Sequence, residues 1–217
     1  MATIHVCDYG IGNVYNVVRA IDRCGVTVQV VESARELRKP TAVVIPGVGA
    51  FGDCIAAINS KGFGEKLKEL SENGVWILGI CIGMQVLGTV SEEFGSHSGL
   101  NIIPGKVKLI PGETASGDTL KRPHVGWSNL SPCQTPWEGT PLGRSRIGVP
   151  AYFVHSYQFV TENPDHTLAT VNYGGFPITA MIGKSRVFGM QFHPEKSGLP
   201  GLKMIEQFVS LTGLNDS

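Results

Sequence analysis

From Thr3 to Val90 the chain repeats one pattern: a short apolar run, a turn rich in glycine, proline or aspartate, then apolar residues at helical spacing. Thr3 to Cys7 reads as a strand and Asp8-Tyr9-Gly10-Ile11-Gly12-Asn13 as the turn after it. Val14, Val17, Val18 and Ile21 mark one face of a helix, and Gly25 stands where a C-terminal cap belongs. Strands follow at Val26 to Val31 and Ala42 to Ile45, the second running into the loop Pro46-Gly47-Val48-Gly49-Ala50-Phe51-Gly52. One or two helices over Asp53 to Glu69 lead to a strand at Val75 to Ile80, and a helix is expected over Gln85 to Val90. This alternation predicts an α/β fold, doubly wound, with a mostly parallel sheet and helices on both faces. Ligands of such sheets bind off the carboxyl ends of the strands.

Beyond Val90 the texture changes. Shorter strands with frequent Gly, Pro and Ser, such as Gly105 to Ile110 and Tyr152 to Val160, indicate an added antiparallel portion. Ser131 to Pro150 has no clean periodicity and reads as an irregular surface excursion. Thr167 to Tyr173, Ile178 to Ile182 and Val187 to Phe192 read as strands. Leu199 to Leu211 reads as an amphipathic helix with Leu202, Ile205, Phe208 and Val209 inward. No linker divides the chain, so a single domain over residues 1–217 is expected.

Charge narrows the partners. Eighteen basic and eighteen acidic residues cancel, and no Lys/Arg cluster is dense enough to track phosphates or a membrane surface. Met1-Ala2-Thr3-Ile4-His5 has no leader character, and no apolar run approaches the roughly 18 residues of a membrane span. A cytoplasmic protein is expected. Five cysteines without a C-x-x-C pair fit free thiols better than disulfides or a metal site.

One cysteine differs from the rest. Val75-Trp76-Ile77-Leu78-Gly79-Ile80-Cys81-Ile82-Gly83-Met84-Gln85 is an apolar strand ending in a G-x-C-x-G elbow, where glycines relieve Cβ clashes and a following helix would favour thiolate. Cys7, Cys24, Cys54 and Cys133 lack this setting and read as packing residues. A cysteine nucleophile needs a base and a group to orient that base, which His193-Pro194-Glu195 supplies if it leaves a strand in extended form. His5, His97 and His166 read as structural or solvated. His124 and His155, in aromatic-rich segments, are open between core packing and function. The G-x-G of the first turn is not a dinucleotide fingerprint, since Tyr15 takes the place of its third glycine.

Taken in order, D-Y-G-I-G-N, P-G-V-G-A-F, G-I-C-I-G-M-Q, P-H-V-G-W, Y-F-V-H-S-Y and G-M-Q-F-H-P-E-K-S resemble the class I (triad-type) glutamine amidotransferases over Asp8 to Phe208. Within them they resemble the branch that pairs with a (β/α)8-barrel cyclase in histidine biosynthesis. The resemblance implies a Cys81 nucleophile for L-glutamine, a His193 acid/base and an orienting Glu195. It implies oxyanion donors at Val48 and Ile82, glutamine contacts from Gly49, Gln85, Ser156 and Tyr157, and a partner-facing rim of Asn13, Trp127, Tyr152 and Lys196. It implies no cofactor and no metal. Ile82, Ser128, Arg186 and the length of Ser131 to Pro150 depart from the family's usual pattern. A paralogous glutaminase serving another synthase such as a sugar amination, a stand-alone cysteine γ-glutamyl hydrolase and a silent binding subunit are the alternative readings. Val48, where relatives often carry glycine, further implies an oxyanion loop that is not preformed, because turning the Gly47–Val48 peptide would strain a β-branched residue.

Overall fold

The computed structural model describes residues 3–214, so Met1 and Ala2 of the segment read for a leader lie outside the described residues. The first half contains β1 (Ile4–Cys7), α1 (Val14–Asp22), β2 (Val28–Val31), β3 (Ala42–Ile45), α2 (Phe51–Ser60), α3 (Phe63–Glu72) and β4 (Trp76–Ile80). Every residue of β1 and β3 is buried, as central parallel strands covered on both faces must be. In β2 only Val31 is buried, and this edge strand begins two residues later than its apolar run suggests. The Asn13 side chain caps α1 by accepting from the Asn16 amide at 3.4 Å. Gly25 ends the helix at φ +74°, its N–H donating to the Asp22 carbonyl.

The second half holds α4 (Ile82–Gln85), β5 (Val90–Ser91), β6 (His97–Ser98), β7 (Gly105–Leu109), β8 (His124–Asn129), β9 (Ser131–Pro132) and β10 (Pro150–His155). After them come β11 (Tyr157–Thr161), β12 (Thr167–Tyr173), β13 (Phe176–Lys184), β14 (Val187–Met190) and α5 (Gly198–Leu211). The main sheet has the order β2-β1-β3-β4-β14-β13-β12-β9. Its first five strands are parallel, and the remainder joins antiparallel. Because β1 to β2 and β3 to β4 step in opposite directions along this order, the right-handed rule for parallel crossovers puts α1 and the α2–α3 pair on opposite faces. Smaller sheets β10-β8 and β11-β7-β5-β6 complete the fold. No helix among the described residues is long and apolar enough to cross a membrane.

Several expectations change. The helix placed at Gln85 to Val90 is instead the single turn α4, because the carbonyls of Val86 and Leu87 accept from Leu100, Ile102 and Ile103 rather than continuing a helix. Tyr152 to Val160 is two strands broken at Ser156, since β10 pairs with β8 while β11 pairs with β7 in another sheet. Ser131 to Pro150 is not purely a surface excursion: it starts with edge strand β9, and Trp137, Thr140 and Leu142 are buried, with the indole N–H on the Leu168 carbonyl at 2.8 Å. The strand expected to reach Phe192 stops at Met190. Strand β8 was hidden in a segment with little alternation, and Leu202 on α5 is only half-buried while Met204 is fully buried.

Two glycines let β4 and α4 approach their neighbours. A Cβ on Gly83 would lie 1.8 Å from the Ile45 carbonyl oxygen, and one on Gly79 would lie 2.3 Å from that of Gly83. Neither contact can be relieved by a side-chain rotation. Gly83→Ala is expected to lower the unfolding free energy by about 3 kcal/mol through overpacking. Urea denaturation checks this, and a change below about 0.5 kcal/mol would contradict the close-packed elbow.

Candidate active site

Cys81 follows β4 directly and takes φ 57°, ψ −113°. A non-glycine residue there costs on the order of 1–3 kcal/mol and persists only if its surroundings over-determine it. They do so through both backbone groups. The Cys81 N–H donates to the Met190 carbonyl at 2.7 Å, and its own carbonyl accepts from Met84 and Gln85 at 3.0 and 3.2 Å. The turn that follows is only four residues long, so the macrodipole assistance expected from a longer helix is small.

The H-P-E segment follows the next parallel strand. After β14 the chain reaches His193, whose N–H donates to the Tyr152 carbonyl at 2.9 Å. His193 is extended (φ −97°, ψ 95°), but Pro194–Lys196 is a 3-10 turn, not the extended segment the sequence suggests. That turn still brings Glu195 Oε1 within 2.9 Å of His193 Nδ1, with both side chains buried. Burial disfavours the imidazolium, yet hydrogen bonds to Cys81 and Glu195, with Coulombic attraction to both, outweigh it and hold His193 up at about 9. The other cysteines lack such a partner. Burial pushes Cys54 up to about 12, Cys24 up to about 11, and Cys7 and Cys133 upward as well.

Cys81 and His193 open into a cleft of about 280 Å³. Val48, Gly49, Ile82, Gln85, Ser156 and Tyr157, all expected near substrate, line it too. Glu195 sits behind His193. Gln85 Nε2 donates to the Gln191 side-chain oxygen at 2.8 Å and to the Tyr157 carbonyl at 3.3 Å, while its buried Oε1 has no partner. That oxygen is an acceptor left unused within the folded chain. Val48 is not among the residues with positive φ, so it does not carry the strained setting that turning its peptide would impose.

Asn13, Trp127, Tyr152 and Lys196 lie outside the cleft. Trp127 is 56% exposed and meets the Tyr152 ring edge-on at 5.9 Å; Lys196 is exposed. Two residues of the site went unread in the sequence. Glu93 lines the cleft and accepts from the Phe51 amide at 2.6 Å, and buried Gln191 donates to Cys81 Sγ at 3.7 Å. Glu93 follows another Glu in a segment with no periodicity, and only the folded chain separates the two. His155 also lines the cleft, whereas His5 is buried in β1 and His97 packs on Phe51.

A strained cysteine, a charged histidine and an orienting carboxylate at the ends of adjacent parallel strands are equipped for nucleophilic attack on a carboxamide. The family model described as glutamine amidotransferase class-I matches residues 5–211. The chain belongs to the class-I glutamine amidotransferase family. It is a glutamine-hydrolysing enzyme. A relative from Legionella pneumophila (strain Lens), "Imidazole glycerol phosphate synthase subunit HisH 1", is 38% identical and covers 97% of this chain and 100% of its own length. The Bacillus subtilis (strain 168) "Imidazole glycerol phosphate synthase subunit HisH" is 40% identical, covering 96% of each chain. Among solved structures, "Structure of PurLQS from Thermotoga maritima" superposes with a TM-score of 0.73 at 17% identity, covering 96% of this amidotransferase and 98% of that chain. At that identity the match shows the fold alone.

The pKa of His193 carries a stability consequence. Raised in the folded state from 6.5 to about 9, the charged ring contributes stability that is full below about pH 6.5 and is lost as pH rises through about 9. The contribution is on the order of 3 kcal/mol. Urea unfolding of this amidotransferase is expected to show the fall across that window, and His193→Asn is expected to flatten it. An equal slope in both proteins would contradict the charged-histidine assignment.

Proposed function

We infer that this amidotransferase is the glutaminase subunit of an imidazole glycerol phosphate synthase. It hydrolyses L-glutamine to glutamate and passes the ammonia to a (β/α)8-barrel cyclase subunit in histidine biosynthesis. The observation that carries the chemistry is the Glu195–His193 pair at 2.9 Å in the cleft that exposes Cys81. The names of the near-full-length relatives support the pathway. The balanced surface charge and five free cysteines fit a cytoplasmic setting.

Glutamine enters with its α-ammonium toward the Glu93 carboxylate and its N–H groups toward Gln85 Oε1, while Gly49, Ser156 and Tyr157 enclose the backbone end. Cys81 sulfur attacks the side-chain carbonyl carbon. Charge passes to the amide oxygen, which the Ile82 N–H, an unpaired first-turn donor, stabilises together with the Val48 N–H. His193, charged at neutral pH, gives its proton to the leaving nitrogen and then takes one from the water that hydrolyses the glutamyl thioester. Glu195 holds the ring for both steps.

Ammonia leaves on the partner side, where Asn13, Trp127, Tyr152 and Lys196 form the docking rim. The rim touches the catalytic turn: the Tyr152 N–H donates to Ser197 Oγ at 2.9 Å, Ser197 Oγ donates to the His193 carbonyl at 2.7 Å, and the Tyr152 carbonyl takes the His193 N–H. Partner docking at Tyr152 therefore bears on His193 through one direct backbone bond and one relay through the Ser197 hydroxyl.

Cys81→Ala is expected to lower glutamine hydrolysis at least about 10⁴-fold while the assembled synthase still uses free ammonium. Residual glutaminase above that limit would sink the nucleophile assignment. Val48→Gly relieves the strain of turning the Gly47–Val48 peptide, so basal hydrolysis without partner is expected to rise about tenfold or more, and stimulation by partner and nucleotide to shrink. An unchanged basal rate in a folded, partner-binding variant would remove the loop from the mechanism.

A further inference from the structure

Away from the triad, three side chains form a hydrogen-bond chain whose direction is fixed by its end. The Tyr157 carbonyl lies 2.8 Å from His155 Nδ1. A carbonyl only accepts, so Nδ1 carries the proton and Nε2 of this neutral ring holds a lone pair. His155 Nε2 lies 3.1 Å from His124 Nδ1, which is therefore the donor there. His124 Nε2 in turn accepts from the Ser128 hydroxyl at 2.9 Å. One set of tautomers satisfies all three contacts. Burial lowers the basicity of both rings, bringing His155 to about 4, so neutral rings are the forms present near pH 7. His124 stacks with Phe153 and Tyr173, at centroid distances of 5.1 and 4.1 Å, which prevents it from swinging away.

The chain ends at a vulnerable place. Between β10 and β11 the backbone passes from one sheet to another, and Ser156 belongs to neither strand. Ser156 and Tyr157 form a wall of the cleft. A strand break leaves its peptides without a regular ladder, and here the Tyr157 carbonyl takes side-chain donors instead, from His155 and from Gln85. Nothing in the triad chemistry uses either histidine.

We propose that His155 and His124 are positioning residues that fix the Ser156–Tyr157 wall and thereby set the affinity for glutamine without touching the reacting atoms. The inference rests on the glutaminase reading above. His124 acts through His155: by donating to Nε2 it forces the His155 proton onto Nδ1, where the wall needs it.

The test places a donor at one ring position or the other. In His155→Asn the amide nitrogen can occupy the Nδ1 position, and in His155→Gln it is carried one bond further, toward Nε2. Steady-state glutaminase kinetics on the chain assembled with its cyclase subunit are expected to show KM for glutamine within about twofold of wild type for Asn. For Gln, KM is expected to rise about five- to tenfold with kcat changed less than about threefold. His124→Phe, which keeps the stacking and removes both nitrogens, is expected to raise KM in the wild-type background and to add nothing to His155→Gln. Equal KM values for the Asn and Gln variants, or additive effects of His124→Phe, overturn the proposal. A wild-type assembly that does not hydrolyse glutamine overturns the function reading instead, and this inference with it.

Discussion

The strained backbone of Cys81 is the constraint on which the site depends. With φ 57° and ψ −113° the residue abandons the strand direction of β4 and presents its side chain to the cleft, and the surrounding bonds keep it there. The Met190 carbonyl on β14 takes its N–H, and β14 is also the strand whose continuation supplies His193. Cys81 and His193 are thus registered to one another by neighbouring parallel strands, not by flexible loops. Gly79 and Gly83 are required on either side because the turn packs backbone against backbone, where no Cβ fits.

The same registration extends outward. Gln191, between Met190 and His193, joins Cys81 sulfur to Gln85, and Gln85 joins Tyr157, so the Ser156–Tyr157 wall of the cleft and Cys81 share one buried polar network. Such networks specify a unique arrangement when nearly every member is satisfied. Within it, Gln85 Oε1 is the oxygen left without a partner. On the other side of His193, the turn through Ser197 reaches Tyr152 and the exposed Trp127. The cleft wall and the exposed aromatic pair are therefore bonded to the Cys81–His193 region from opposite directions.

The parallel half of the fold was legible because its strands are continuous apolar runs closed by glycine turns, a signal that burial on both faces imposes. The elbow and the H-P-E segment were legible because chemistry restricts residue types at short spacing. What the sequence concealed depends on long-range choices. The break at Ser156 follows from β10 and β11 joining different sheets, which alternation along one strand cannot reveal. The helix expected at Gln85 to Val90 was cut short by amides ten or more residues away in sequence, from Leu100 to Ile103. Glu93 and Gln191 acquire their meaning only from what they face. The H-P-E expectation reached the right pair by the wrong path, since a 3-10 turn and not an extended segment brings Glu195 to His193.

The central claim is that the strained elbow makes Cys81, alone among the five cysteines, a nucleophile toward the glutamine carboxamide. The most direct measurement is covalent labelling of the wild-type assembly by a glutamine analogue bearing a diazoketone in place of the carboxamide, followed by peptide mapping in a mass spectrometer. A single adduct on Cys81, suppressed by excess glutamine, is the predicted result. Loss of glutaminase activity with the adduct on another residue, or turnover that persists with Cys81 fully labelled, would contradict it.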